Sequence, residues 1–404
     1  MALCAIVAVA ALVAAACGSS KAASGSGRAV GNPSQYTLGA SLILSTSQSS
    51  SGDQFNEGIN TAIGLINSTG GIDGVKAAVK EEDMMGTAQG AVAAFNELKS
   101  VYGVQALIQS TSAGVLASAP IANSSKILML NPGGFSPVLT GLGPYLVSVL
   151  PNLTNDIAAL APFLYGKGYR RLAVYGEDDA LGTGTGSAMQ KAWQKLGGSY
   201  VGTYLEDSTS QSHNAVINQI KSKNPDIVLV ICAATQFSTF VVQAKQLGLK
   251  AQLAATSLST GVGPIAAGAG INNMYYSEPA IAVHPSTDKL AAQYVKEFNK
   301  LYPHQVALPY TLPIVISAFN AVWVWRTAIE YLNAHKESYS GANLRTAIGK
   351  IKTFALPSGS LTISSGGTVS TPVGIYQWVG PPVSAALGDK SVLIKTLSLS
   401  ELRH

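Results

Sequence analysis

At 404 residues the chain exceeds what one hydrophobic core organises comfortably, which favours two lobes. It is 47% hydrophobic and only 12% charged, a globular rather than a disordered composition. The net charge of +5 comes from 26 dispersed Lys and Arg, with no run that could follow a phosphate backbone, so nucleic-acid binding is set aside.

Residues 1–16, MALCAIVAVAALVAAA, are apolar throughout. As a helix they would reach about 24 Å at 1.5 Å per residue, short of a hydrocarbon core of about 30 Å. They therefore read as the apolar region of a signal peptide, not a permanent span. No Lys or Arg precedes the run, so either the true start lies upstream or the export signal is unusual. Small residues before Cys17, Gly18 after it and the slack stretch SSKAASGSG resemble a bacterial lipobox with its linker. The resemblance implies a diacylglycerol on the Cys17 sulfur, with residues 17–35 as a flexible tether. With cysteines only at 4, 17 and 232, neither a disulfide framework nor a cysteine metal site is available. Cys232, inside the apolar run DIVLVICAA, reads as a small buried hydrophobe.

From Tyr36 onward, short β-rich runs alternate with amphipathic helical stretches, the pattern of a mostly parallel α/β sheet. The predicted strands are YTLGASLIL, VQALIQ, KILMLN, RRLAVYG and PDIVLVIC. Between them Phe55, Ile59, Ala62, Ile63 and Ile66 form one helical stripe, and Phe237, Phe240, Val241, Ala244 and Leu247 another; both read as core. Gly70–Gly71 ends the first helix, and KLGGSY repeats the device near residue 197. Two similar halves thus follow one another, with a crossing near 150 in VSVLPNLTND. A second shift comes around MYYSEPAIAVHP. A long helix follows over YTLPIVISAFNAVWVWRTAIEYL, with Pro309 and Pro313 at its entry and Tyr310, Ile314, Ala318, Ala321 and Trp325 along one side. The tail SGSLTISSGGTVSTPVGIYQWVG reads as hairpin strands about a Gly-Gly turn. The expected fold is α/β, two doubly wound Rossmann-like lobes joined by a multi-strand hinge. Residues 36–150 and about 281–353 would form the first lobe, and 151–280 and about 354–404 the second.

In doubly wound sheets ligands sit beyond the carboxyl ends of the strands, so the strand exits are the place to search. They read STSQSSSGDQ, STSAG, PGGFSP, EDDALGTGTG, AATQ and SLSTG. Ser110, Thr111 and Ser112 are either helix caps or ligand contacts. Gly133 and Gly134 would leave their N–H groups uncovered for an anion. Phe135 is either a hydrophobic plug or a platform for a flat ligand. Acids 177–179 read as a solvated loop or a helix cap. The five histidines are scattered without metal-type spacing, and no nucleophile elbow or Walker loop occurs, so neither enzyme chemistry nor a cofactor is expected.

Together, the export signal, the lipobox, the two α/β lobes and the stretches GINTAIGLINSTGGIDG, KEEDMMGTAQGAVAAFNEL, ILMLNPGGFSPVLT and VVQAKQLGLKAQ resemble the leucine/isoleucine/valine-binding-protein family. These are periplasmic-binding-protein-like receptors of ABC transporters with a type I fold. The resemblance implies a monomeric solute receptor outside the cytoplasmic membrane, held there by its lipid, that closes on a small molecule and delivers it to a permease. The same lobes also serve ligand-sensing receptors that signal to a membrane partner. In amino-acid-binding members a serine at a helix start, matching Ser112 or its neighbour Ala113, holds the ligand carboxylate. So does a small-small-threonine stretch matching Gly133, Gly134 and Phe135. The residues that usually hold the ammonium fall on Leu181 and about Ser257, a further aromatic falls on Ala233 or Ala234, and a first-loop aromatic near Ser51. Because a buried ammonium without a partner costs several kcal/mol, the lost acid implies a neutral ligand or an organic acid, in preference to a free α-amino acid. Asp178 or Asp179 swinging in would reverse that reading.

Overall fold

The computed structural model describes residues 33–46, 48–232, 234–259, 266–279, 287–304, 313–380 and 391–403. The signal segment, Cys4, Cys17 and most of the tether lie outside them, as do Ala233, Pro309 and Tyr310.

The first lobe is built on a five-stranded parallel sheet. Its strands are β1 (Gln35–Leu42), β2 (Lys76–Asp83), β3 (Ala106–Gln109), β4 (Leu128–Asn131) and β5 (Leu146–Ser148), in the order β2-β1-β3-β4-β5. The second sheet repeats that winding. Strands β6 (Arg171–Glu177), β7 (Ser199–Glu206), β8 (Ile227–Ile231), β9 (Gln252–Ala255) and β10 (Tyr275–Pro279) run parallel in the order β7-β6-β8-β9-β10. Between β10 and the carboxyl-terminal strands lies a two-stranded ribbon, β11 (Thr353–Leu356) with β12 (Gly359–Thr362). Then β13 (Val373–Trp378) and β14 (Ser391–Leu397) extend the second sheet antiparallel beyond β10.

The central strands are apolar on both faces because helices cover both faces. On β3, Ala106 and Ile108 join one core and Leu107 the opposite one. On β6, Leu172 and Val174 face one way while Ala173 and Tyr175 face the other; on β8, Ile227, Leu229 and Ile231 alternate with Val228 and Val230 in the same manner. Cys232 continues that second face and is fully buried, and its burial pushes the thiol pKa well up.

Helices α1 (Ser49–Ser68), α2 (Ala88–Ser100) and α3 (Ser112–Ser125) follow the first three strands. Helices α4 (Thr154–Gly166), α5 (Ala180–Lys195), α6 (Asn214–Ser222) and α7 (Ala234–Gln246) serve the second lobe. Then come α8 (Lys289–Leu301), α9 (Pro313–Ala334) and α10 (Gly341–Ile351). The α1 stripe Phe55, Ile59, Ala62 and Ile66 is buried, as are Ala318, Ala321 and Trp325 of α9. The two helices cross closely at Gly58, where an added Cβ would lie 2.1 Å from the Val315 carbonyl oxygen and 2.8 Å from the Ala318 Cβ.

Core membership locates the crossings. Val149 belongs to the first lobe's core, while Leu150 and Leu153 belong to the second's. The return falls later than the 354 expected from the sequence. Phe354, Leu356, Leu361, Ile363 and Val369 all pack with α9 and β1 in the first core, and Val373 is the first residue back in the second. The tail also departs from a simple hairpin. β12 pairs back onto β11, the Gly366–Gly367 turn carries only the Ile363–Val369 bridge, and β13 pairs with β10. The reason is burial: Ile363 and Val369 are spent on the first core, so the chain must cross before it can pair again.

One buried acid ties the second lobe together. Asp156, in the first turn of α4, accepts from the Ser277 hydroxyl at 2.6 Å and from the Ser257 amide at 3.2 Å. Burial pushes its carboxyl pKa up, and the bonds from Ser277 and Ser257 only partly offset that.

Two outcomes are expected. Gly58→Ala should force α1 off α9 and lower stability by about 1–3 kcal/mol, as overpacking does; an unchanged thermal midpoint would refute the close crossing. Because the folded-state pKa of Asp156 lies above its unfolded value of about 3.9, its contribution is full below that value and is lost as pH rises through the folded-state value. Asp156→Asn should therefore gain on the parent protein in urea midpoint as pH is raised from about 4, the unfolded-state value, whereas a pH-independent gap would contradict the assignment.

Candidate functional site

The two winding patterns place the β1/β3 and β6/β8 switch points against one cavity of about 400 Å³, lined by residues of both lobes. This is the size range of small-molecule sites. Of the sequence-predicted residues, Ser51, Ser112, Ala113, Gly133, Phe135, Leu181 and Ser257 line it together. Gly134 does not, and Ala233 lies outside the described residues.

At the exit of β3 three adjacent hydroxyls have three different tasks. Ser110 donates to the Ser41 carbonyl at 3.0 Å, fastening the loop to β1. Thr111 is the N-cap of α3 and accepts from the Gly114 amide at 3.0 Å. Ser112, in the first turn, accepts from the amides of Phe135 and Ser136 at 3.1 and 3.2 Å, which leaves its own O–H to donate. The Ser112 and Ala113 amides carry no hydrogen bond among the described residues, as expected of the first groups of a helix.

The glycine amides were expected to be open, and they are not. Asn131, at the end of β4, accepts from both Gly133 and Gly134 through Oδ1, at 3.2 and 2.5 Å. Its Nδ2 donates to the Gly134 carbonyl and to Ser148. The anion-binding role assigned to those amides is therefore withdrawn. Gly133 instead supplies space: an added Cβ would meet the Phe55 ring and the Ser110 carbonyl oxygen, each at 2.2 Å.

Phe135 is a plug that also shows an edge to the cavity. It is 8% exposed and sits with Leu150, Leu153 and Leu181 in the second lobe's core, although its loop springs from the first lobe's sheet. Its carbonyl accepts from the Leu153 amide at 2.8 Å, and the neighbouring Ser136 hydroxyl donates to the Ala180 carbonyl at 2.6 Å.

The second lobe contributes acids. Glu177, Asp178, Asp179 and Asp207 line the cavity, and among the described residues no Lys, Arg or His does. Asp179 is the N-cap of α5, accepting from the amides of Leu181 and Gly182 at 2.8 and 2.9 Å. Burial pushes its carboxyl pKa up, those amides pull it down, and the Asp178 charge raises it further. Asp207 is exposed, and hydrogen bonds from Thr209 hold its carboxyl below the ordinary range. The acid that is missing near Ser257 has counterparts at the exits of β6 and β7, where Asp178 and Asp179, the sequence-level alternative, line the cavity with Asp207. Two residues that sequence reasoning missed are Gln236, on the cavity wall from α7, and Asp207.

Comparison with known proteins agrees with this geometry. A family model described as periplasmic binding protein matches residues 35–382. A Leu/Ile/Val-binding protein homolog from Brucella melitensis is 24% identical over 349 residues, covering 85% of this chain and 91% of the relative. A leucine-binding protein of Thermotoga maritima superposes with a TM-score of 0.75 at 19% identity, over 91% of this chain and 99% of that one. A solute-binding protein of an R. palustris ABC transporter, in complex with benzoate, does so with a TM-score of 0.75 at 15% identity, over 90% of this chain and 96% of that one. With most of its length matched by the family model and both sheets wound about one shared cavity, the chain belongs to the periplasmic binding protein family.

Proposed function

We propose that the protein is the extracytoplasmic solute receptor of an ABC uptake system, held at the membrane through a diacylglycerol on Cys17 and presenting its captured ligand to a permease. The observation that carries the reading is the shared cavity at the carboxyl ends of both sheets, with polar groups from each lobe in its lining. The relatives include proteins named for leucine, isoleucine and valine and one bound to benzoate, so amino acids and aromatic acids are the two ligand classes to weigh.

The polarity of the wall favours the first class. The Ser112 hydroxyl and the Ser112 and Ala113 amides at the start of α3 suit an acceptor such as a carboxylate. The second lobe brings four acids to the lining, and among the described residues no basic residue joins them. A monoanion there would face like charge, which is costly away from water. A ligand that is acceptor-bearing at one end and donor-bearing at the other satisfies both sides. This reverses the preference for a neutral or purely acidic ligand, because that preference rested on an acid being absent.

A thermal-shift screen of free amino acids against benzoates, followed by calorimetry, tests the reading. At a hundredfold excess over its dissociation constant a true ligand adds about 2.7 kcal/mol. Ser112→Ala should weaken the best binder about 10- to 100-fold, the value of a hydrogen bond to a charged group; unchanged affinity removes the anchor. Cys17→Ser should move the protein from the membrane fraction to the soluble fraction of the expressing cell, and continued retention would refute the tether.

A further inference from the structure

Behind the second lobe's wall lies a buried polar chain that the family resemblance did not point to. Tyr175 on β6 donates to Glu206 Oε2 at 2.9 Å. His213 Nδ1 stands 2.6 Å from the same oxygen and 3.0 Å from the Tyr175 hydroxyl, and its Nε2 is 2.8 Å from Thr239 Oγ1. His213 is fully buried, and its amide donates to Gln243 Oε1 at 2.7 Å. The Tyr175 ring stacks on Phe240 at a centroid distance of 3.7 Å. This chain terminates on Gln236, a cavity residue only 3% exposed.

The orientation of the Gln236 amide is determined by its partners. Nε2 donates to the Asp207 carbonyl at 3.3 Å and to the Tyr175 hydroxyl at 3.2 Å. A carbonyl can only accept, so a flipped amide would set oxygen against oxygen. Because Tyr175 gives its proton to Glu206, its oxygen is free to accept from Gln236. Gln236 Oε1 is then left buried with no hydrogen-bond partner among the described residues. Buried acceptors are seldom left so, and one on a binding-site wall points to a donor that arrives with the ligand.

We infer that Gln236 Oε1 is the acceptor that reads a cationic nitrogen donor on the ligand, and that Tyr175, backed by Glu206 and His213, is the positioning residue that aims it. The inference deepens the binding-protein reading and rests on it. The neighbouring Asp178, Asp179 and Asp207 select for positive charge on that donor. Gln236 supplies what those acids do not, a single directed oxygen on a stiff support. Ligand discrimination follows, because a site built around a directed acceptor rejects analogues that lack the matching donor.

Calorimetry with L-leucine, its 2-hydroxy analogue and 4-methylpentanoate tests this, with benzoate as a fourth probe. Wild type should prefer L-leucine over the other two aliphatic acids by at least about tenfold. Gln236→Met should cut L-leucine binding about tenfold or more and leave the two nitrogen-free acids within about twofold. Tyr175→Phe keeps the ring against Phe240 and should give a smaller loss confined to L-leucine, a selectivity that mere loosening of the lobe would not produce. Equal losses on all probes, or none, overturn the inference. Binding of benzoate without L-leucine overturns it and leaves the solute-receptor reading standing; binding of none of the four by folded protein removes both.

Discussion

Everything at the site hangs on the loop that follows β4. Ser112 accepts the amides of Phe135 and Ser136, Asn131 gathers those of Gly133 and Gly134, and the Phe135 ring is driven into the core of the other lobe. These contacts hold the start of α3, the cavity floor and the second lobe's α5 in one arrangement. Without them the hydroxyls and free amides of α3 would face open solvent, and the acids after β6 would face nothing. The apolar part of this junction is non-directional and scales with buried area. The hydrogen bonds decide which groups are left over for a ligand.

The electrostatic character of the cavity follows from ordinary fold mechanics. Parallel winding points strand carboxyl ends and helix amino ends at the same space. In the first lobe Thr111 caps α3 without charge, and the Ser112 and Ala113 amides keep no partner among the described residues, an electropositive element. In the second lobe Asp179 caps α5 and is joined by Glu177, Asp178 and Asp207, so the same geometry carries negative charge. A pocket lined by groups of opposite electrostatic character results from two copies of one winding that differ in how the helix start is capped, by Thr111 in one and by Asp179 in the other.

Much of the fold was legible in the sequence. Central strands announce themselves because they are buried on both faces, as at LAVYG and IVLVI. The outer strands β2 and β7 do not, since their half-exposed positions admit Lys, Glu and Thr; only the Gly-Gly stops before them gave a hint. The return crossing was misplaced because nothing local distinguishes a strand that pairs with the first core from one that pairs with the second. At the site, residues next to strand exits were found by position. Asn131 had a readable signal, an asparagine before Pro-Gly-Gly that can hydrogen-bond amides two and three residues on. Gln236 had none, because its importance lies in Tyr175 and Asp207, residues 61 and 29 positions away.

Most polar residues of the cavity wall come from strand ends or helix starts, while Phe55, Phe135 and Leu181 serve wall and core at once. The polar reading of a ligand and the packing of the sheets are therefore written in largely separate letters of the chain. Cargo can be exchanged by rewriting a few exit positions while the scaffold is inherited unchanged, and the same architecture can stock a cell with many receptors at little evolutionary risk.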